Sequence, residues 1–182
     1  MAKTKNPSLS TKLNKSIKDL RAASDRLKEE HSNLGKGVAT TMQDFIKSAP
    51  ALSGFRWTQY TPYFNDGDTC EFSLNEYSVK LTDAAEKLLF TDEATSPSEE
   101  GYEMDGDGYV RLDHFDLKDL IKDRADVFNH KEMKEIEGVV KQVEKLWEAM
   151  AEIQPALQAF FGDHAQITVT KKGIDNISYD HD

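Results

Sequence analysis

Apolar residues in the N-terminal part of the chain recur at alternating spacings of three and four, which is the pattern of a helical heptad seam. The polar or small residues Ser24, His31 and Thr41 interrupt the seam. The spacing predicts a long helix over residues 8–48, followed by a proline that ends it. Gly35 and Gly37 each weaken a helix by about 1 kcal/mol, so a break, a bend or a close helix contact is expected there. The apolar seam residues are Leu13, Ile17, Leu20, Leu27, Leu34, Val38 and Phe45.

A second helical pattern covers residues 130–161, and a shorter one begins near residue 113. Pro155 predicts a kink in the long one, and Gly162 is expected to end it. Because each long helix has a single apolar seam, the two are expected to pair antiparallel. The seam of the second helix consists of Met133, Ile136, Val140, Val143, Trp147, Met150, Leu157 and Phe160.

The middle of the chain has a strand-like composition. Residues 55–81 are rich in aromatic and β-branched side chains around Asp66-Gly67, which indicates a hairpin whose first strand ends before Pro62. A helical turn over residues 82–90, capped by Thr82, and an acidic loop over residues 91–101 follow. Residues 105–108 read as a second turn, and residues 167–182 as strand, turn and strand.

These patterns predict one α+β domain over residues 1–182, in which a long antiparallel, coiled-coil-like helical pair carries a small antiparallel β-sheet at one end. The expected segments are a long helix over 8–48, β-hairpins and the acidic loop over 54–112, helices over 113–161, and a C-terminal strand region over 164–180.

The net charge of -10 is unevenly distributed. Residues 1–37 contain nine Lys and Arg against four Asp and Glu, so they carry +5 and the remainder carries -15. The acidic excess argues against non-specific binding to nucleic acid or an anionic membrane. The basic stretch leaves nucleic-acid binding by the first helix as a minor alternative. The lone Cys70, expected in a strand, and the lack of an apolar leader or membrane span favour a cytoplasmic protein.

No catalytic, zinc-binding or phosphate-binding motif is present, so a non-enzymatic protein without a cofactor is expected. Residues 103–110 resemble part of an EF-hand loop, with Glu103, Asp105 and Asp107 as candidate calcium ligands. His114 stands where that loop needs a bidentate glutamate. A β-turn is therefore favoured over a degenerate calcium site.

Residues 55–64 concentrate the side-chain types that dominate protein interfaces, and the same types also fill cores. The core interpretation is favoured for Trp57 and Phe72, whereas Tyr60 and Tyr63 are the better surface candidates. Glu99 and Glu100 would add an acidic contact. The full set of candidate partner-binding residues is Arg56, Trp57, Tyr60, Tyr63, Phe64, Glu99 and Glu100.

The block FRWTQYTPYFNDGDTCEFS and the ending ITVTKKGIDNISYDHD resemble small acidic proteins of tailed bacteriophages. The resemblance implies action inside the host cell, in host interaction or as a replication accessory. The expected function is binding of a host or phage protein through the aromatic hairpin (residues 55–81) or the acidic face (residues 92–126). Self-association into a homo-oligomer is also expected.

Two alternatives stay open. Residues 92–126 carry twelve acidic against four basic residues, which suits an acidic nucleic-acid mimic that inhibits a host defence or nucleic-acid enzyme. The second alternative is a calcium-binding protein that uses the degenerate loop.

Overall fold

The computed structural model describes residues 9–64, 67–89, 105–111 and 130–180. The helices are α1 (Leu9–Ser48), α2 (Asp83–Leu89), α3 (His130–Ala151) and α4 (Gln154–Phe161). The strands are β1 (Leu52–Tyr60), β2 (Ser73–Leu81), β3 (Val110–Arg111), β4 (Ala165–Thr170) and β5 (Ile174–Ser178). This mixture of helices and antiparallel strands confirms the α+β class.

The five strands form one antiparallel sheet in the order β3-β2-β1-β4-β5. β1 is central, so Trp57 lies opposite Tyr77 of β2 and Ile167 of β4. β5 forms an edge, and all its residues are exposed. The C-terminal hairpin that the sequence predicts is therefore confirmed.

The two faces of the sheet differ in chemistry because side chains alternate along each strand. The inner face carries Phe55, Trp57 and their neighbours Val79 and Ile167, which belong to the hydrophobic core together with residues of α1, α3 and α4. The outer face carries Arg56 and its cross-strand neighbours. Burial of the aromatic inner face against helices supplies the main stabilisation of such a layer.

Gln59 fastens the inner face to the end of α4. Its side chain is fully buried and accepts a hydrogen bond from the Trp57 indole nitrogen at 3.1 Å. Its amide nitrogen donates to the carbonyl oxygens of Gly162 at 2.6 Å and Leu157 at 3.3 Å. Because both polar ends of a buried amide are satisfied, this residue fixes where β1 meets the turn that follows α4.

The long helix α1 is continuous through Gly35 and Gly37, so the predicted break is absent. Of the three outcomes expected there, the close helix contact is the one observed. A Cβ atom on Gly35 would overlap Phe160 and the Ala156 carbonyl oxygen of α4, whereas nothing lies within 4 Å of a Cβ on Gly37. The two glycines therefore differ in role although they are alike in sequence.

The buried stripe in the second half of α1 is shifted by about one residue from the predicted seam. Ala39, Met42 and Ile46 are buried, while the predicted members Thr41 and Phe45 are exposed and half-buried. A straight helix has 3.6 rather than 3.5 residues per turn, so its buried stripe advances by about one residue over four heptads. The heptad extrapolation was therefore wrong in register at this end.

The structure does not show the predicted pairing of the two long helices. Among the described residues, α1 packs chiefly on the short helix α4, and its next most extensive contacts are to β4 and β1. α3 instead lies on β2, where Trp147 stacks on Tyr77 at 4.5 Å. The break between α3 and α4 falls at residues 152–153, directly before the predicted kink at Pro155. This break frees α4 to cross α1.

Several local expectations need correction. β1 and β2 do form the predicted hairpin, but β1 ends at Tyr60 and β2 begins only at Ser73, so Cys70 lies in the connection and not in a strand. Thr82 directly precedes α2, where its carbonyl oxygen accepts the Glu86 N–H at 2.8 Å and its hydroxyl donates to the Pro50 carbonyl oxygen at 3.2 Å. Residues 91–101 and 113–129 lie outside the described residues.

Candidate functional site

A row of aromatic rings stands at one end of the sheet, where β1 ends and the C-terminal strand returns. Tyr63 stacks on His164 at 4.7 Å with an interplanar angle of 13°, and Tyr60 lies 6.4 Å from the same imidazole. Tyr179 in turn stacks on Tyr60 at 5.7 Å. Together with the adjacent Phe64, these four residues are called the aromatic end below.

Asp163 organises the turn that holds this row. One carboxylate oxygen accepts bonds from the backbone N–H groups of Thr61 and His164, each at 2.8 Å. The other accepts the Thr61 hydroxyl at 2.6 Å and the Gln158 amide at 3.4 Å. Burial alone would raise the pKa of Asp163, but the hydrogen bonds from Thr61 and His164 outweigh it and hold this pKa below its usual value.

His164 has a backbone φ of 51°, which is unusual for a residue with a side chain. Such a conformation costs on the order of 1–3 kcal/mol and persists only where neighbours hold it in place. Here the Asp163 carboxylate holds its N–H, and its carbonyl oxygen accepts the Tyr179 N–H at 2.7 Å. The strained residue therefore places the imidazole under Tyr63 and ties the C-terminal segment to the same point.

The outer part of the aromatic end is open to solvent. Tyr63 and Phe64 are 67% and 75% exposed, which is high for large aromatic side chains. The Tyr63 hydroxyl donates to Asp180 at 3.4 Å. Desolvation and the nearby Asp180 carboxylate raise the pKa of Tyr63, so its hydroxyl stays protonated and can act as a donor at neutral pH.

A second cluster lies on the outer face of the sheet, around Arg56. Its guanidinium binds Asp105 at 2.5 Å and Asp107 at 2.9 Å, and its Cζ lies 3.9 Å from the centre of the Tyr109 ring. Tyr109 is buried against Gly54, where a Cβ would lie 2.5 Å from its hydroxyl oxygen. Burial raises the pKa of Tyr109, and the adjacent Arg56 opposes that shift.

The predicted metal loop is thus a short segment pinned to the sheet. Asp105 also folds the loop on itself by accepting the N–H groups of Asp107 at 3.0 Å and Tyr109 at 2.9 Å. Arg56 binds both carboxylates and its single charge offsets part of theirs, so a calcium ion would have to displace it. Glu103 lies outside the described residues. Within the part of the chain that is described, no three His, Cys, Asp or Glu side chains are placed to hold a metal ion.

The structure separates the predicted partner-binding residues into three groups. Tyr60, Tyr63 and Phe64 come together at the aromatic end. Trp57 is 1% exposed and belongs to the core together with Phe55, so it is not accessible as a partner contact and the core interpretation is confirmed. Arg56 binds Asp105 and Asp107 of the loop that precedes β3. Glu99 and Glu100 lie outside the described residues.

Sequence reasoning missed the residues that support the aromatic end: Asp163, His164, Tyr179 and Asp180. They lie about a hundred residues from Tyr63, and only the pairing of β1 with β4 brings them close. One signal was available, since a polar Asp-His pair directly after the helix-ending Gly162 favours a side-chain-stabilised turn.

No family model, curated protein or solved structure matches this chain. No helix in the described ranges has the length and apolar character that crossing a membrane requires. Among the described residues, the aromatic end is an exposed cluster that ring stacking and hydrogen bonds hold in place.

Proposed function

We propose that this chain is a non-enzymatic, phage-type protein of the host cytoplasm that binds a host or phage protein through its aromatic end. The observation that carries the proposal is the exposure of Tyr63 and Phe64 on a support of stacked rings. Tyrosine and other large aromatic side chains are enriched among the residues that dominate binding energy. The sequence resemblance to phage proteins supports the setting, and the exposed rings support the mode of action.

Preorganisation favours this surface over the other exposed parts of the chain. Immobilising a flexible side chain on binding costs about 0.5–1.5 kcal/mol. Tyr63 is already held by the His164 ring and by its bond to Asp180, so less of that cost remains when a partner covers it. The apolar ring of Phe64 beside a tyrosine hydroxyl suits a contact that combines packing with one hydrogen bond.

The two alternatives find less support. The acidic-mimic hypothesis depends on residues 92–126, of which the structure describes only residues 105–111. Within that segment, Arg56 binds both aspartates, so their charge is partly neutralised within the chain. The calcium hypothesis is disfavoured for the same reason, because Arg56 binds both of its described candidate ligands, Asp105 and Asp107.

The test is affinity capture from host-cell lysate with the full tagged chain at low and high salt. Wild type is compared with the double variant Tyr63→Ala, Phe64→Ala and with Ile174→Ala. Ile174 is a matched control because it is an exposed apolar residue at the end of β5 that lies away from Tyr179. Circular dichroism should first show that all three proteins fold alike.

The proposal predicts a discrete partner that survives high salt, is lost from the double variant and is retained by Ile174→Ala. A partner that high salt releases and the double variant still binds would instead support the acidic face. A partner lost only from Ile174→Ala would move the binding site to the other end of β5 and overturn the proposal.

A further inference from the structure

The first part of α1 is a helix with an uncovered apolar face. All residues from 13 to 30 are exposed, and the seam ends at Leu34, next to the buried Gly35. Residues 13–34 are called the arm below, and 22 residues of α-helix span about 33 Å. The exposed apolar seam residues of the arm are Leu13 (59%), Ile17 (39%), Leu20 (70%), Leu27 (53%) and Leu34 (48%).

The arm seam continues the face by which α1 packs on the rest of the protein. At about 100° per residue, Leu13 and the buried Met42 point in directions only about 20° apart. Beyond the arm, α4 covers this face, with Phe160 lying against Gly35. A helix that binds the seam would therefore run along the arm and stop against α4.

This geometry disfavours a second copy of the chain in parallel orientation. In a parallel pair, the partner's α1 would continue past Gly35 into the space that α4 occupies on the same face. An antiparallel pair avoids this collision because the two copies would extend from opposite ends of the paired arms.

Charge disfavours the antiparallel pair of identical arms. With leucines at the d positions of the heptads, Arg21 and Lys28 occupy the e positions beside the seam. An antiparallel arrangement places e positions of one helix beside e positions of the other, so these cations would face each other. Like charges across a helix pair are destabilising and select against self-pairing.

The same flank is suited to a partner of opposite charge. Residues 13–28 carry five basic side chains against Asp19 and Asp25, a net charge of +3. We propose that the arm binds an acidic amphipathic helix of another protein, which covers the leucine seam with apolar residues and places carboxylates beside Arg21 and Lys28. This surface is separate from the aromatic end, so the chain would carry two independent protein-binding sites.

Two synthetic heptad peptides test this proposal with the full chain in solution. Both have the same leucine and isoleucine core, but one carries glutamates at its flanking positions and the other lysines. The acidic peptide should bind one per chain, and the basic peptide should bind at least about tenfold more weakly. Isothermal titration calorimetry measures both affinity and stoichiometry.

Three variants of the arm sharpen the test. Leu20→Asp should weaken binding of the acidic peptide by more than about tenfold. Ala22→Asp is the matched control, because it adds the same charge on the opposite face of α1 and should leave the affinity within about twofold. Arg21→Glu combined with Lys28→Glu should transfer the preference to the basic peptide.

Equal binding of the two peptides, or equal effects of Leu20→Asp and Ala22→Asp, would overturn the proposal. So would self-association of the peptide-free chain to about twice its 20.6 kDa mass that Leu20→Asp abolishes, since a second copy would then be the partner. A lowered unfolding midpoint in Leu20→Asp would also overturn it, because the chain itself would then cover the seam. Displacement of the acidic peptide by duplex DNA would assign the arm to nucleic acid.

Discussion

Gly35→Ala and Gly37→Ala are the same chemical change, made two residues apart in one helix, and they should have opposite effects on stability. At Gly35 the new methyl group would lie 2.8 Å from the Ala156 carbonyl oxygen and would overlap the Cβ of Phe160. Both obstacles belong to the backbone or the first side-chain atom of α4, so neither can rotate away. At Gly37 the methyl group would point into open space.

The magnitudes follow from two terms. Replacing glycine by alanine inside a helix favours folding by about 1 kcal/mol, and Gly37→Ala should gain that amount. Gly35→Ala gains the same term, but overpacking of a tight contact costs about 1–3 kcal/mol. We expect Gly35→Ala to lower the free energy of unfolding by about 1 kcal/mol, so that the two variants differ by about 2 kcal/mol.

Urea denaturation measures this difference, followed by circular dichroism and by tryptophan fluorescence. Trp57 lies in the core and Trp147 packs against it, so fluorescence reports on the same folded unit as the helix signal. The slope of the free energy against urea should not change between variants. If Gly35→Ala stabilised the protein as much as Gly37→Ala, the close crossing of α1 over α4 would be refuted.

Three further predictions concern single side chains. Arg56→Lys should lower the free energy of unfolding by about 1–2 kcal/mol at low salt, because lysine cannot bind two carboxylates and stack on a ring together; denaturation at high salt should narrow the difference. Thr58→Val should stabilise the protein by about 1 kcal/mol in the same assay, because the buried Thr58 hydroxyl has no hydrogen-bond partner among the described residues. Because folding lowers the pKa of Asp163, its carboxylate stabilises the fold at pH values above its unfolded pKa near 3.8, and this stabilisation is lost as the pH falls through the lower folded pKa. Asp163→Asn should therefore lose less stability than wild type on acidification, and an unchanged pH profile of stability would contradict this.

The periodicity of apolar residues predicted much of the secondary structure, because local chemistry sets both ends of a periodic element. The bounds of α1, the end of β1 before Pro62 and the stop at Gly162 were predicted from the residues present. The register of the buried stripe of α1 was not predicted correctly, because a strict 3.5-residue repeat diverges from a straight helix over the length of α1. The different roles of Gly35 and Gly37 were also not predictable, because only the position of α4 in the fold distinguishes them.

The site was harder to predict because its parts are distant in sequence. The exposed Tyr63 could be proposed from its residue type and the neighbouring proline. Its support by His164 depends on strand pairing across about a hundred residues, which no local pattern encodes. The same is true of Arg56, whose partners Asp105 and Asp107 lie in a loop that suggested a metal site when considered alone.

The most direct measurement of the central claim is site-specific photo-crosslinking at position 64. Phe64 is replaced by a photoreactive phenylalanine analogue in the full chain, the same analogue is placed at the exposed Ala22 as a control, and both proteins are irradiated in host-cell lysate. A discrete protein adduct from position 64, absent from position 22 and lost when Tyr63→Ala is added, is the result the proposed function predicts. The absence of an adduct at position 64, or the same adducts from both positions, would contradict binding through the aromatic end.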